Sequence, residues 1–536
     1  MYQYVCWYAS VFNTGRNSRL VAFKKISLLS TSPCNIVEYK SMDQVIVIGG
    51  GMSGLAAAHT VLENGGRVVL IEKMAFCGGN SSKATSGING AQTRTQRAKG
   101  IADSPEQFEQ DSIKGGAEMP ELVHVLTFES ASGVEWLMDK FGLDLTLVSR
   151  LGGHSFPRTH RGKTKFPGMT ITYALLEKYE ELCQATPDRC RLINKARVVR
   201  LLTDPRTGEV NGVEYTNKEG KSFKEMGAVI VATGGFGSDF APNGLIKKYR
   251  PDLHHLPTTN GEFSTGDGIK MAEQIGADTV DLEWIQVHPT GLVNPSEPNT
   301  KTLFLGAEAL RGVGGFILDG NGKRFCNELG RRDYVTGEIW KNKGPFRLVL
   351  NSKASKEIEW HCKHYKGRGL MKEFHSGEEL AREMGIAPGV LETTFRDYNI
   401  VAEKQAKDPN GGPYDAYPSG KTWDKWGKKF YHNMPVEMND SFHVAFITPV
   451  IHYCMGGLKI DTEARVINKK TGKPVGFLYG AGEIAGGVHG RNRLGGSSLL
   501  DCIVYGRVAG RTATKEMLAK NIDVIRKSKG GNAARV

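Results

Sequence analysis

A glycine-rich turn between a buried strand and a helix constrains this chain more than any other feature in it. Residues 44–48 (QVIVI) form a short apolar, β-branched run, the pattern of a strand buried on both faces. Gly49-Gly50-Gly51-Met52-Ser53-Gly54 follows at once and supplies G-x-G-x-x-G. Residues 53–63 then carry Leu55, Ala58, Val61 and Leu62 at helical spacing until Gly65-Gly66, and 67–72 (RVVLIE) reads as the next strand. The whole is one βαβ unit of about 30 residues. In such a unit Gly49 permits the turn, Gly51 lets the backbone approach a pyrophosphate, and Gly54 lets helix and strand pack closely, with Ser53 in the first helical turn. The anion then sits on the helix N-terminus. Glu72, eighteen residues beyond Gly54, is placed to accept a hydrogen bond from a ribose hydroxyl. The unit specifies a dinucleotide, and NAD and FAD both use this turn.

At 536 residues the chain is long enough for two to four domains. Its 66 glycines exceed the ordinary share, as many tight turns require. Helices are predicted at 121–140 and 173–183, a strand at 209–216 with a hairpin partner after 218–220, and another buried strand at 228–232 (AVIVA). From about 275 to 450 the signals turn helical and loop-like, with many Trp, Lys, Pro and Gly, and strand runs return at 457–460 and 476–479 before a final helix from about Ser497. The division read from this is a discontinuous dinucleotide-binding domain, 43–275 with 452–515, and an inserted domain over 276–451. A basic tail, a solvated helix end with a frayed terminus, is expected at 516–536.

Nine cysteines are scattered with no metal-ligand or haem-attachment spacing, so no metal, iron-sulfur cluster, c-type haem or disulfide framework is expected. No run approaches the roughly 18 apolar residues of a membrane helix, so no membrane span is expected. The formal charge of +13 is spread along the chain without a nucleic-acid-reading motif, and reads as a positive field that helps capture an anionic substrate. Residues 1–41 hold Arg16, Arg19, Lys24, Lys25 and Lys40 against Glu38 alone. Two readings stand: a mitochondrial presequence, or a cytoplasmic protein that begins at Met42.

The choice of cofactor comes from resemblance. The run from Gly78 to Gly90, Ala232-Thr233-Gly234-Gly235, Thr265-Gly266-Asp267-Gly268 and Gly480-Ala481-Gly482-Glu483 resemble FAD-contacting loops of the fumarate reductase and succinate dehydrogenase flavoprotein superfamily, over about residues 43–515. The chain is most similar to the soluble, single-subunit, yeast-type branch. The resemblance implies an α/β fold: a Rossmann-like FAD-binding domain with a doubly wound sheet of the glutathione-reductase kind, and an inserted α+β capping domain. It implies cofactor contacts at Gly49, Gly51, Ser53, Gly54, Glu72, Lys73, Gly79, Asn80, Ser81, Gly87, Asn89, Gly90, Ala232, Thr233, Gly234, Asp267, Gly482, Glu483, Ser498 and Leu499. Membrane-bound members carry FAD on a His in the Gly87 region, whereas this chain reads Ser-Gly-Ile-Asn-Gly there, so FAD is expected to be non-covalent.

Fumarate has two carboxylates, and a site for it needs cationic or imidazole donors at both ends. His288 in WIQVHPT, Glu308 and Arg311 in EALRG, Arg332 in RRD, His452 in HYCMGG and Arg493 in NRLGG offer such groups. By resemblance His288, His452 and Arg493 hold the substrate, and Arg332 is the proton donor, resupplied through Glu308 and Arg311, while reduced flavin gives hydride to the neighbouring carbon. Two departures stand out: Ala307 where bacterial members often have Thr, and Gly330-Arg331 where Thr-Thr is frequent. A substrate change to urocanate, a 3-ketosteroid or aspartate is the alternative, although steroid-acting relatives polarise a ketone with Tyr groups. The expected donor is diffusible: reduced flavin, NADH or an electron-transfer protein. The enzyme is expected to be a monomer making succinate.

Overall fold

The strand Val45–Ile48 lies at the centre of a six-stranded sheet in this computed structural model, which describes residues 42–163 and 165–533. The candidate presequence, 1–41, lies outside the described residues. The strand order is Arg465–Ile467, Pro474–Gly480, Ala228–Val231, Val45–Ile48, Val68–Ile71 and Cys190–Ile193. All neighbours are parallel except the first pair. Val45, Ile46 and Val47 are fully buried, as is all of Ala228–Val231. Each such aliphatic side chain contributes about 1.5–3 kcal/mol of burial, which explains why these strands read as unbroken apolar runs rather than alternating ones.

The helix Met52–Glu63 packs against both Pro167–Ala185 and the long terminal helix Ser497–Ala533. Residues 516–533 of the basic tail, expected as a helix end, continue that last helix as far as Ala533. They are tied down where Lys520 Nζ meets Glu209 Oε2 at 2.7 Å and Asn521 Nδ2 donates to Met42 O at 2.8 Å. An antiparallel meander, Arg197–Thr203, Val210–Thr216 and Ser222–Met226, contains the predicted hairpin. The helix predicted at 121–140 is two helices, Pro120–Phe128 and Ser130–Phe141, jointed at Glu129. Continuous apolar spacing concealed the joint, because each helix buries its own stripe: Leu122 and Leu126 in one, Val134 and Leu137 in the other.

The middle of the chain holds helices, as its sequence suggested, but also a second, antiparallel sheet. Its order is Phe304–Leu305, Ile285–Leu292, Phe442–Cys454, Phe346–Asn351 and Phe316–Leu318. Pro289 and Pro449 argue against central strands, since proline cannot donate to a ladder. The pairing accommodates Pro289 with a register shift between His288 and Gly291. The thirteen-residue strand Phe442–Cys454 runs from the capping core, where Phe442 and Val444 sit, to the core of the first sheet at Ile451 and Cys454. The expected boundary at 451/452 therefore falls inside a continuous strand. No described helix is long and apolar enough to cross a membrane.

Candidate active site

The C-terminal ends of Val45–Ile48, Val68–Ile71 and Ala228–Val231 open onto a cavity of about 610 Å³. Gly49 adopts φ +107°, and a Cβ there would lie 2.4 Å from Ala232 O, so only glycine turns the chain into the helix. The helix that follows has Gly51 at its N-cap with no cap from that residue, and its first N–H, that of Met52, donates to Ser81 Oγ at 3.3 Å. Glu72 is buried and accepts from Gly50 N (2.7 Å) and Met74 N (2.7 Å). That locks the carboxylate at the cavity wall.

Of the expected cofactor contacts, Gly49, Gly51, Ser53, Glu72, Lys73, Gly79, Asn80, Ser81, Gly87, Ala232, Thr233, Gly234, Asp267, Glu483, Ser498 and Leu499 line this cavity. Four do not, and each has a packing reason. Gly54 holds helix to strand, since a Cβ would fall 1.9 Å from Gly49 O. Asn89 donates to Gly495 O (2.8 Å) and Ser497 Oγ (3.0 Å) and accepts from Thr159 Oγ1 (2.6 Å), so it braces the loop after Arg493. Gly90 packs on Thr93 and Val134, and Gly482 on Ser53. Lys73 and Asp267 pair with each other at 3.0 Å across the wall.

Of the six substrate candidates, Arg332, His452 and Arg493 line the cavity, and His288, Glu308 and Arg311 cluster against them without lining it. Arg332 opens the helix Arg332–Lys341, and its Nε and Nη2 lie 2.8 and 2.7 Å from Glu308 Oε2. Arg311 Nη2 is 3.7 Å from the same oxygen and His288 Nε2 is 3.8 Å from it. Gly152 N donates to Glu308 Oε1 at 2.9 Å. Arg332 Nη1 donates to Gln286 Oε1 at 2.6 Å, and Arg493 Nη2 donates to that oxygen at 3.2 Å. The imidazoles of His288 and His452 meet edge to face, 5.2 Å between centroids. His288 Nδ1 accepts from Thr290 N (3.2 Å), which places the ring proton on Nε2. Arg331, the other departure in sequence, pairs with Asp333 and stays at the surface.

Burial and charge then set the protonation states. Burial, reinforced by Arg332, pushes His288 down to about 3 and His452 well below its ordinary value, so both rings are neutral. Burial alone would raise the Glu308 carboxyl, but Arg332 and Arg311 overcome it and hold Glu308 well below the carboxylate range. Burial and then Arg332 bring Arg493 down to about 10, and burial raises Glu483 to about 7. Two guanidinium groups here, those of Arg332 and Arg311, lie within 4 Å of one carboxylate, Glu308. His288 Nε2, Arg493 Nε, Arg311 Nε and Arg311 Nη2 are buried without a hydrogen-bond partner. Buried donors are ordinarily paired, so this cluster is built to receive an anion.

Gln286 escaped the sequence reading, although it sets the separation of two candidate arginines. Gln286 and His288 lie two apart on the strand Ile285–Leu292, but Pro289 hides that strand in the sequence, so their common neighbourhood shows only in the fold. Asn492, which accepts from Gln286 Nε2 at 3.0 Å, was missed in the same way beside Arg493.

Residues 44–499 match the FAD binding domain family. The chain belongs to this FAD-binding flavoprotein family. Among its relatives, the fumarate reductase of Schizosaccharomyces pombe is 45% identical, covering 89% of this chain and 91% of that one. Fumarate reductase 1 of Saccharomyces cerevisiae is 37% identical over 89% of this chain and 99% of its own. The open conformation of a flavocytochrome c3 fumarate reductase superposes with a TM-score of 0.66 at 32% identity, covering 89% of this chain and 79% of that one. A 3-ketosteroid dehydrogenase shares the fold, with a TM-score of 0.61 at 22% identity, over 90% of this chain and 98% of that one.

FAD is the cofactor, and the cavity has the chemistry for it. The helix N-terminus suits a diphosphate and Glu72 a ribose. Gly51 leaves open space where a side chain would stand, its nearest neighbour being Ser81 Oγ at 3.8 Å. Thr233 Oγ1 is buried at the wall without a partner.

Proposed function

We propose that this chain is a fumarate reductase that binds FAD non-covalently and forms succinate. The observation that carries the reading is the convergence of Arg332 and Arg493 on Gln286 Oε1 at the end of the FAD cavity, beside unpartnered donors on His288 and Arg493. A dicarboxylate neutralises the surplus positive charge and accepts from those donors. Bound and reduced, FAD supplies the hydride. His288, His452 and Arg493 hold the two carboxylates, which fixes the double bond and excludes water from it. Arg332 delivers the proton to the second carbon. Ionised Glu308, in contact with Arg332 and near Arg311, returns a proton to Arg332 from Arg311.

The absence of His from Ser86-Gly87-Ile88-Asn89-Gly90 supports non-covalent FAD. Tyrosine chemistry argues against a ketosteroid. Tyr365 and Tyr453, the buried tyrosines of the cavity wall, donate to Leu305 O (2.9 Å) and Asp501 Oδ2 (3.1 Å) and have no hydroxyl proton left to polarise a ketone. A diffusible donor and a monomeric enzyme complete the proposal.

Steady-state assays with a reduced viologen donor test it. Fumarate should be consumed with stoichiometric succinate, and urocanate, a 3-ketosteroid and iminoaspartate should be poor acceptors; a preference for any of these overturns the reading. Arg332→Lys should retain FAD and lose about 10²–10⁴-fold in turnover. Wild-type turnover in that variant removes Arg332 from the acid role.

A further inference from the structure

We propose that Cys183 and Cys190 form a reversible dithiol–disulfide couple that closes with a small-molecule disulfide such as glutathione disulfide. Their sulfurs are 2.9 Å apart, closer than two thiols sit in ordinary contact and within 1 Å of the roughly 2.05 Å of a disulfide bond. Cys183 lies in the last turn of the helix Pro167–Ala185, and Cys190 opens the strand Cys190–Ile193, paired with Val68 on its neighbour.

The connection between them is fixed by its own hydrogen bonds. Thr186 Oγ1 donates to Leu182 O (2.9 Å), and Arg189 N and Cys190 N donate to Thr186 O at 2.9 and 3.0 Å. From below, Tyr179 is fully buried and donates to Arg191 O at 3.0 Å, which ties the same helix turn to the same strand. Thiols held together by backbone and packing on both sides need no refolding to join.

The two thiols differ in access, which orders the steps. Cys183 is half-buried and Cys190 is buried. The Cys183 thiolate attacks one sulfur of the small disulfide, and one small thiol leaves. The Cys190 thiolate then attacks the Cys183 sulfur, the protein S–S bond forms, and the second small thiol leaves. Two protein thiols give up two electrons and two protons, and the small disulfide takes them up as two thiols. Burial and the neighbouring Cys190 hold the Cys183 thiol above its ordinary range, and burial does the same for Cys190. Closure is therefore slow at neutral pH and gains about tenfold in rate per pH unit as thiolate accumulates. Neither sulfur lines the FAD cavity, so closure staples helix to sheet without touching the cofactor.

The sequence makes the test direct, because Lys178 and Lys195 bracket both cysteines and no lysine lies between them. The folded holoenzyme is incubated with glutathione disulfide at pH 8, its flavin spectrum serving as the control for folding. It is then denatured, alkylated and digested after lysine. Peptide 179–195 should carry no alkyl group, weigh two hydrogens less than the reduced peptide, and regain two alkylation sites after dithiothreitol. Cys190→Ser should instead stop at a glutathione adduct on Cys183. A wild-type peptide that keeps two alkylation sites, retains glutathione, or is found joined to a peptide holding another cysteine overturns the proposal.

Discussion

Gln286 Oε1 stands between two guanidinium groups, and a neutral acceptor shared by two cations is what keeps Arg332 and Arg493 at a fixed separation. Gln286→Leu leaves both arginines without this acceptor in a buried site. Losing charge-assisted hydrogen bonds of this kind costs about 1.5–3 kcal/mol, or roughly 10–150-fold in kcat/KM for fumarate. Steady-state kinetics at constant FAD content checks this, and an unchanged kcat/KM leaves Gln286 as packing. Glu483 gives a pH signature. Its folded-state pKa, raised by burial to about 7 from an ordinary value of 4.5, favours the protonated form. The folded state is therefore penalised progressively as pH rises from about 4.5 through 7. Glu483→Gln should stabilise the protein by roughly 3 kcal/mol at pH 8 and by under about 1 kcal/mol at pH 5. Denaturant unfolding at the two pH values measures it, and a pH-independent difference contradicts it. At this scale His288, His452, Arg332 and Arg493 were singled out by residue type and by resemblance, and the structure brings them into one cluster. Gln286 was not, since an amide announces no charge and its role exists only once two segments 46 and 207 residues away fold onto it.

Elements divide more sharply. The parallel strands were readable because burial on both faces leaves only apolar, β-branched residues, and the glycine turn fixed what followed them. The antiparallel strand Ile285–Leu292 was not readable, because Pro289 and His288 break the apolar run and the register shift there is invisible without the partner strand. Asn89 and Gly90 were misplaced for a related reason: a small or amide residue in a flavin loop reads the same whether it faces the cofactor or braces the loop behind it. Gly54 tests the strand-to-helix packing. Gly54→Ala drives a Cβ to within 1.9 Å of Gly49 O, so the helix must shift from the strand and its N-terminus moves with it. FAD affinity should fall at least tenfold, about 1.4 kcal/mol. Equilibrium dialysis against FAD reads this directly, and a wild-type dissociation constant would show that the packing tolerates the methyl group.

Across the whole molecule, the strand Phe442–Cys454 joins the capping core to the core of the FAD sheet. It carries His452 to within 5.2 Å of His288, between ring centroids, at the end of the cavity. Sequence placed a domain boundary where the structure has this continuous strand, because composition changes there while the backbone does not. The two sheets thus share the element that carries His452, and Arg332, His452 and Arg493 lie together on the wall of one cavity. The direct test is an anaerobic reoxidation. The enzyme is reduced to its bleached flavin spectrum and mixed with one equivalent of fumarate, then with urocanate or a 3-ketosteroid in separate samples. Fumarate should restore the oxidised flavin spectrum in the wild type and fail to do so on the same timescale in Arg493→Ala. A flavin that stays reduced with fumarate and is reoxidised by another acceptor would contradict the assignment.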